Sequence, residues 1–232
     1  MNEPPKERWG CLQWGIVLVV GLLGWLFLSS YKSTLAKQGA QMRGVNNCKQ
    51  IILCLNQYSH DNGLAYPDGE ALSAGAVSAN QLFRILFKQD IWSDERIFGC
   101  PNSVFVPDGD VGVKPDFANA LTPGECHWML LKGQTGMAST DMPLLIENAL
   151  DSSWPPKWDV SDQAGNKRGR AWPGREIIVG HTDASVAVEK LSPDGTIDWR
   201  LKGNPGYDGK SWIDTLSPEQ IASLSYWDVE EK

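Results

Sequence analysis

The chain has 232 residues, 42% of them hydrophobic and 21% charged, with a formal charge of -7. That balance excludes a disordered chain and a basic nucleic-acid binder, and the length allows one domain plus an anchor or two small domains. Tryptophan is heavily used, at 11 residues; because a buried indole needs a partner for its N–H, the count fits a compact, loop-rich fold with wet edges.

Charge is unevenly distributed. Glu3, Lys6, Glu7 and Arg8 cancel, so the whole -7 belongs to residues 31–232. A part that acidic repels polyanions, and no nucleic-acid partner is expected. Residues 1–9 read as a short cytoplasmic N-terminus. In the run from Gly10 to Leu28, Gln13 is the only strongly polar side chain. At 1.5 Å per residue this run spans roughly 28 Å, the thickness of a bilayer's hydrocarbon core, so residues 10–30 are predicted to be one membrane helix. Trp9, Trp14, Trp25 and Tyr31 sit where interfacial anchors belong, and Lys32 and Lys37 close the far end. Leu28-Ser29-Ser30 is a poor cleavage site, which favours a retained anchor over a signal peptide. The N-terminus is expected inside and the globular part outside, because a domain this large translocates largely regardless of its charge.

Residues 31–63 continue as an amphipathic helix. Val45, Cys48, Ile52 and Leu55 recur at three- and four-residue intervals, flanked by Ile51, Cys54 and Tyr58. Val45, Ile51, Ile52, Leu55 and Tyr58 are the residues expected to hold this helix to a sheet. His60-Asp61-Asn62-Gly63 ends it, and Pro67 blocks continuation. Residues 64–216 are turn-rich. A helix is predicted near 80–89, capped by Ser78 or Asn80. Trp128–Leu131 and Pro143–Ile146 read as short strands, and Glu176–Gly180 with Val186–Glu189 as a hairpin. Residues 151–174 form a long loop carrying Trp154, Trp158 and Trp172. In 217–232, Ser217-Pro218-Glu219-Gln220 is a capping box that starts a short terminal helix before the tail. The fold class is therefore α+β, a long N-terminal helix packed on a small antiparallel sheet.

That layout, with Asn46-Asn47-Cys48-Lys49-Gln50-Ile51, Tyr58, Asp61-Asn62-Gly63 and Tyr66-Pro67, resembles type IV pilins and type II secretion pseudopilins of the planctomycete–verrucomicrobial kind. Ile97-Phe98-Gly99-Cys100-Pro101, Gly124-Glu125-Cys126-His127-Trp128 and Val179-Gly180-His181-Thr182-Asp183-Ala184-Ser185-Val186 are similar to further segments of that group, over roughly residues 12–191. The resemblance implies a non-enzymatic, single-pass inner-membrane subunit with a periplasmic domain, whose partners are the bilayer and other pseudopilin or secretion-system subunits. One departure is clear. A prepilin carries glutamate five residues into its mature apolar run, whereas here no acidic residue lies between Arg8 and Asp61.

Residues with chemical potential are few. Cys48 and Cys54 lie roughly 9 Å apart along one helix, too far for an unstrained bridge. Cys11 sits at the membrane edge as an inert thiol. In an oxidising periplasm Cys100 and Cys126 are the disulfide candidate. Zinc through Cys100, Cys126 and His127 is disfavoured because no CxxC pair exists. His60, His127 and His181 fall at a helix end, a strand start and a turn, and no nucleophile or phosphate-loop motif accompanies them. Many pseudopilins bind calcium in a sheet loop, and Asp108, Asp110, Asp194 and Asp198 are the weak candidates here; no other cofactor is expected. Trp154, Trp158 and Trp172 either form a platform for a sugar or protein partner or staple their loop to the sheet. The first of these uses defines the alternative function, a membrane-tethered binding module that no longer assembles.

Overall fold

The computed structural model describes residues 10–161, 165–199 and 211–232. The expected cytoplasmic stretch 1–9, with Trp9, lies outside the described residues. The chain divides into two compact units at Gln41/Met42.

Helix α1, Cys11–Asp61, belongs to both units. Its first part is long and apolar enough to cross a membrane. Trp14, Leu18, Val20, Trp25 and Phe27 are all more than half exposed. Transfer from water into hydrocarbon favours each of these side chains.

In the second unit α1 changes character. Gly44, Cys48, Ile51, Ile52, Leu55, Tyr58 and Ser59 are buried at helical spacing, while Met42, Lys49, Leu53 and Gln57 face outward. Val45 lies at the margin of this stripe, half-buried. Full burial of Ile51, Ile52 and Leu55 contributes on the order of 1.5–3 kcal/mol each. Two amides on α1 add long-range hydrogen bonds: Asn47 Nδ2 donates to the Gly99 carbonyl at 3.0 Å and Asn56 Nδ2 to the Thr182 carbonyl at 3.2 Å. Asn62 Nδ2 donates to the Tyr58 carbonyl and closes the helix end.

Strands β1 (Trp128–Leu131), β2 (Pro143–Glu147), β3 (Glu176–His181), β4 (Val186–Lys190) and β5 (Tyr226–Trp227) form one sheet in the order β4-β3-β2-β1-β5, every pair antiparallel. β1 and β2 are buried throughout, as their unbroken apolar runs require. The terminal segment is more than a helix and tail, since β5 pairs with β1 through Leu130↔Trp227 and Leu131↔Tyr226. Helix α2 (Asp68–Ser73) and a 3-10 turn at Glu95–Phe98 also lack counterparts in the sequence reading. Helix α3, Ala79–Lys88, is capped by Ser78, whose Oγ accepts from Gln81 N. The C-terminal tail closes over that cap, with Ala79 N donating to Asp228 O at 2.6 Å and Glu230 N to Asn80 Oδ1 at 2.9 Å. Helix α4, Pro218–Ser223, carries the full Ser217–Gln220 capping box.

Two glycines set the distance between α1 and β3. A Cβ on Gly44 would lie 2.6 Å from Ile178 Cδ1 and 3.1 Å from Cys100 Sγ; one on Gly180 would lie 2.2 Å from Ile52 Cδ1 and 2.6 Å from Cys48 Sγ. Each element presents a gap where the other presents bulk, which lets the backbones approach closely. Gly180→Ala is expected to lower stability by roughly 1–3 kcal/mol through overpacking. Adding Ile52→Val, which removes the nearer clashing methyl, should recover part of that loss in thermal unfolding; a neutral Gly180→Ala would contradict this packing.

Candidate functional site

The most concentrated chemistry in the second unit surrounds Glu147, the last residue of β2 and 2% exposed. Its Oε1 accepts from Trp172 Nε1 at 2.8 Å, His127 Nε2 at 3.2 Å and Cys100 Sγ at 3.6 Å, and its Oε2 accepts from the Ile178 backbone N–H at 3.0 Å. A buried carboxylate is tolerable only when its oxygens are supplied with donors, and here four donors come from three separate segments.

The imidazole of His127 is held by its other nitrogen. Gly169 N donates to Asn148 Oδ1 at 2.6 Å, which turns Asn148 Nδ2 toward His127 Nδ1 at 2.8 Å; the Ser103 hydroxyl reaches the same nitrogen at 2.7 Å. Nδ1 is therefore the acceptor and Nε2 carries the proton given to Glu147, a tautomer assigned from the network.

Cys100, His127 and Glu147 place one donor atom each within 4.8 Å of one another, close enough to share one metal ion. The locked tautomer opposes that use, because Nε2 would have to lose its proton while Nδ1 faces an anchored amide donor. The thiols are also in the wrong state. Burial first, then the Glu147 charge and Cys100, push Cys48 up; burial and Glu147 raise Cys100; burial brings Cys126 to about 12 and Cys54 to about 11. Raised thiols are the opposite of activated ones.

Cys100 and Cys126 are not a disulfide. Both are free and buried, Cys126 donating to the Trp128 carbonyl at 3.4 Å while Cys100 turns to Glu147. Each thiol is committed to a different acceptor, so their shared loop-rich neighbourhood does not become a bond.

Of the four aspartates considered for calcium, Asp108 is the one that, among the described residues, joins a cluster of acidic side chains, with the buried Glu95 and Glu125. Glu95 Oε1 accepts from Gly109 N at 2.6 Å and Oε2 from Leu121 N at 3.0 Å, while Glu125 Oε2 accepts from Thr122 N at 2.6 Å. These carboxylates organise loop backbone. Asp110 is occupied by Gly112 N and the Asn119 amide, and Asp194 by Thr196 within its own turn. Asp198 is exposed.

Trp158 and Trp172 are 2% and 4% exposed, so neither offers a face for stacking. Trp154 is half-buried and stacks on Trp199 at 5.4 Å and Tyr226 at 6.2 Å, with Trp212 edge-on at 5.5 Å. The arrangement is a filled aromatic cluster that staples the loop. Next to Trp172 lies a cavity of about 550 Å³ with Asn102, Asp159, Ser161, Asn166, Arg170 and Arg175 on its walls. Asp159 is paired there with Lys167, whose hydrogen bond, with those from Ser161, holds the carboxyl down to about 2.

His181 Nδ1 lies 3.0 Å from the Asp141 carbonyl, a structural contact, and His60 is exposed at the helix end. Glu147, Asn148 and Arg175 escaped the sequence reading. The available signal for the first was a lone acid closing the apolar run Pro143–Glu147. No family model matches the chain, and no curated protein or solved structure is significantly similar to it.

Replacing Glu147 by Gln turns one acceptor into an N–H₂ group facing donors. A loss of roughly 2–4 kcal/mol in urea unfolding is expected. For Glu95, burial raises the carboxyl above its ordinary range, Leu121 and Gly109 N–H groups pull it down, and Glu125 and Asp108 raise it again. Its folded form thus binds the proton more tightly than the unfolded chain, so stability falls as pH rises from about 4.3 through the raised folded value. Unfolding measured from pH 4 to 7 should show wild type losing stability relative to Glu95→Gln as pH increases; a pH-independent difference would refute the assignment.

Proposed function

We propose that this chain is a bilayer-anchored, pilin-like subunit working with type II secretion or type IV pilus-type machinery, its N-terminus cytoplasmic and its globular unit periplasmic. The observation that carries the reading is the two-part character of α1. Large apolar side chains from Trp14 to Leu28 are exposed, whereas a stripe from Gly44 to Ser59 is buried in the globular unit. The four sequence segments that resemble pseudopilins also meet in space, which supports the same reading. Asn47 bonds Gly99, Cys100 and His127 both bond Glu147, and Gly180 lies under Cys48 and Ile52.

The role is mechanical. A helix half in lipid and half packed on a sheet would carry the globular unit on a membrane anchor without chemistry, and the satisfied Glu147 carboxylate holds that unit's own loops in place. Lipid surrounds the anchor, and neighbouring subunits are the partners the helix would pack against. Without an acidic residue in the apolar run, packing there depends on side-chain shape.

Two measurements test this. The chain should resist carbonate extraction from inner membranes, and protease added to spheroplasts should remove the globular unit; a soluble chain, or a unit protected until the membrane is opened, would sink the proposal. With secretion machinery co-expressed, cysteines introduced between residues 16 and 28 should give crosslinked ladders. Monomers alone would favour the tethered binding module.

A further inference from the structure

We propose that the cavity beside Trp172 binds a singly charged, hydroxyl-rich ligand of the uronate-sugar class. The inference goes beyond anchoring and does not depend on assembly.

The cavity, about 550 Å³, is of small-ligand size. Arg170 and Arg175 both line it, in a chain whose formal charge is -7. Arg170 is steadied by one bond, Nη2 donating to the Ser161 carbonyl at 2.9 Å, which leaves the rest of its fork for a ligand. The Arg175 guanidinium has no ion-pair or hydrogen-bond partner among the described residues. A guanidinium is matched by a planar carboxylate, which it holds through paired N–H groups.

Backbone geometry singles out Arg175 further. Trp172-Pro173-Gly174-Arg175 is a tight turn closed by Arg175 N donating to Trp172 O at 3.0 Å, and Arg175 itself sits at φ +60°. Glycine adopts that conformation freely and arginine does so at a cost. The turn is held by Leu191 N donating to Arg175 O at 2.7 Å, so the backbone that carries the unpaired guanidinium is fixed at the cavity wall.

The remaining walls set the class of ligand. The Asp159 carboxylate is answered by Lys167 and Ser161, so the free charge on the walls is that of the two guanidiniums, and the neutral polar groups beside them favour a hydroxyl-bearing ring over bare phosphate. Ser161 and the Asn102 and Asn166 carboxamides both donate and accept, which suits a ring carrying several hydroxyls. Trp172, whose indole N–H is committed to Glu147, fixes the turn that bears Arg175, so the site is built before a ligand arrives.

Titration calorimetry on the full chain in detergent micelles, with glucuronate, galacturonate, glucose and inorganic phosphate as probes, tests the proposal. At least one uronate should bind saturably at one site, with glucose and phosphate at least tenfold weaker. Arg175→Gly should weaken uronate binding at least tenfold while the thermal midpoint holds or rises, because glycine relieves the backbone; Arg175→Asn, which also tolerates positive φ, serves if the glycine variant misfolds. Arg170→Gln should weaken binding similarly. Absence of saturable uronate binding, phosphate binding as tightly as uronate, or full affinity in a folded Arg175 variant would each overturn it.

Discussion

A single buried carboxylate constrains the second unit. Removing the Glu147 charge from water is costly, and only a full set of donors offsets that cost. The donors belong to Cys100, His127, Trp172 and Ile178. They arrive from three stretches: the loop after the Glu95–Phe98 turn, the residue before β1, and the turn that runs into β3 together with β3 itself. Displacing any of them leaves charge unpaired in a low-dielectric interior, so the requirement of one residue holds several otherwise irregular stretches in place. Asn148, oriented by Gly169, extends the same logic to the far side of the imidazole.

Packing of α1 follows a different rule, steric rather than electrostatic. Gly44 receives Ile178 and Cys100, and Gly180 receives Cys48 and Ile52, so helix and strand interlock through absent side chains. Asn47 and Asn56 then fix the register with bonds to Gly99 and Thr182. N-terminal to this interlock α1 exposes its large apolar side chains from Trp14 to Leu28, and that part of the helix is long and apolar enough to cross a membrane.

Nine of the 11 tryptophans fall into three uses. Trp14 and Trp25 are exposed on the apolar part of α1. Trp128, Trp158, Trp172, Trp199, Trp212 and Trp227 are buried, serving a globular unit with little regular structure to supply a core. Trp154 joins an aromatic stack at the edge. The region rich in tryptophan does carry the cavity proposed to bind ligand, but the groups proposed to recognise it are arginine, asparagine and serine, with tryptophan as scaffold.

Local pattern was enough for the long apolar helix, the buried stripe of α1, the β3–β4 hairpin, and the caps at Ser78 and Ser217, because hydropathy period and capping are properties of neighbours in the chain. Partnerships across long separations were decided by tertiary structure alone. Cys100 and Cys126 suggested a bond by compartment and location, yet each thiol took a different acceptor. Two-residue β5 has too little periodicity to be seen before β1 stands beside it. Asp108 found Glu95 and Glu125 rather than Asp110. Glu147 is a lone acid in its segment, and only folding reveals that four donors were waiting for it, since burial and satisfaction of a charge are set by every segment that closes around it.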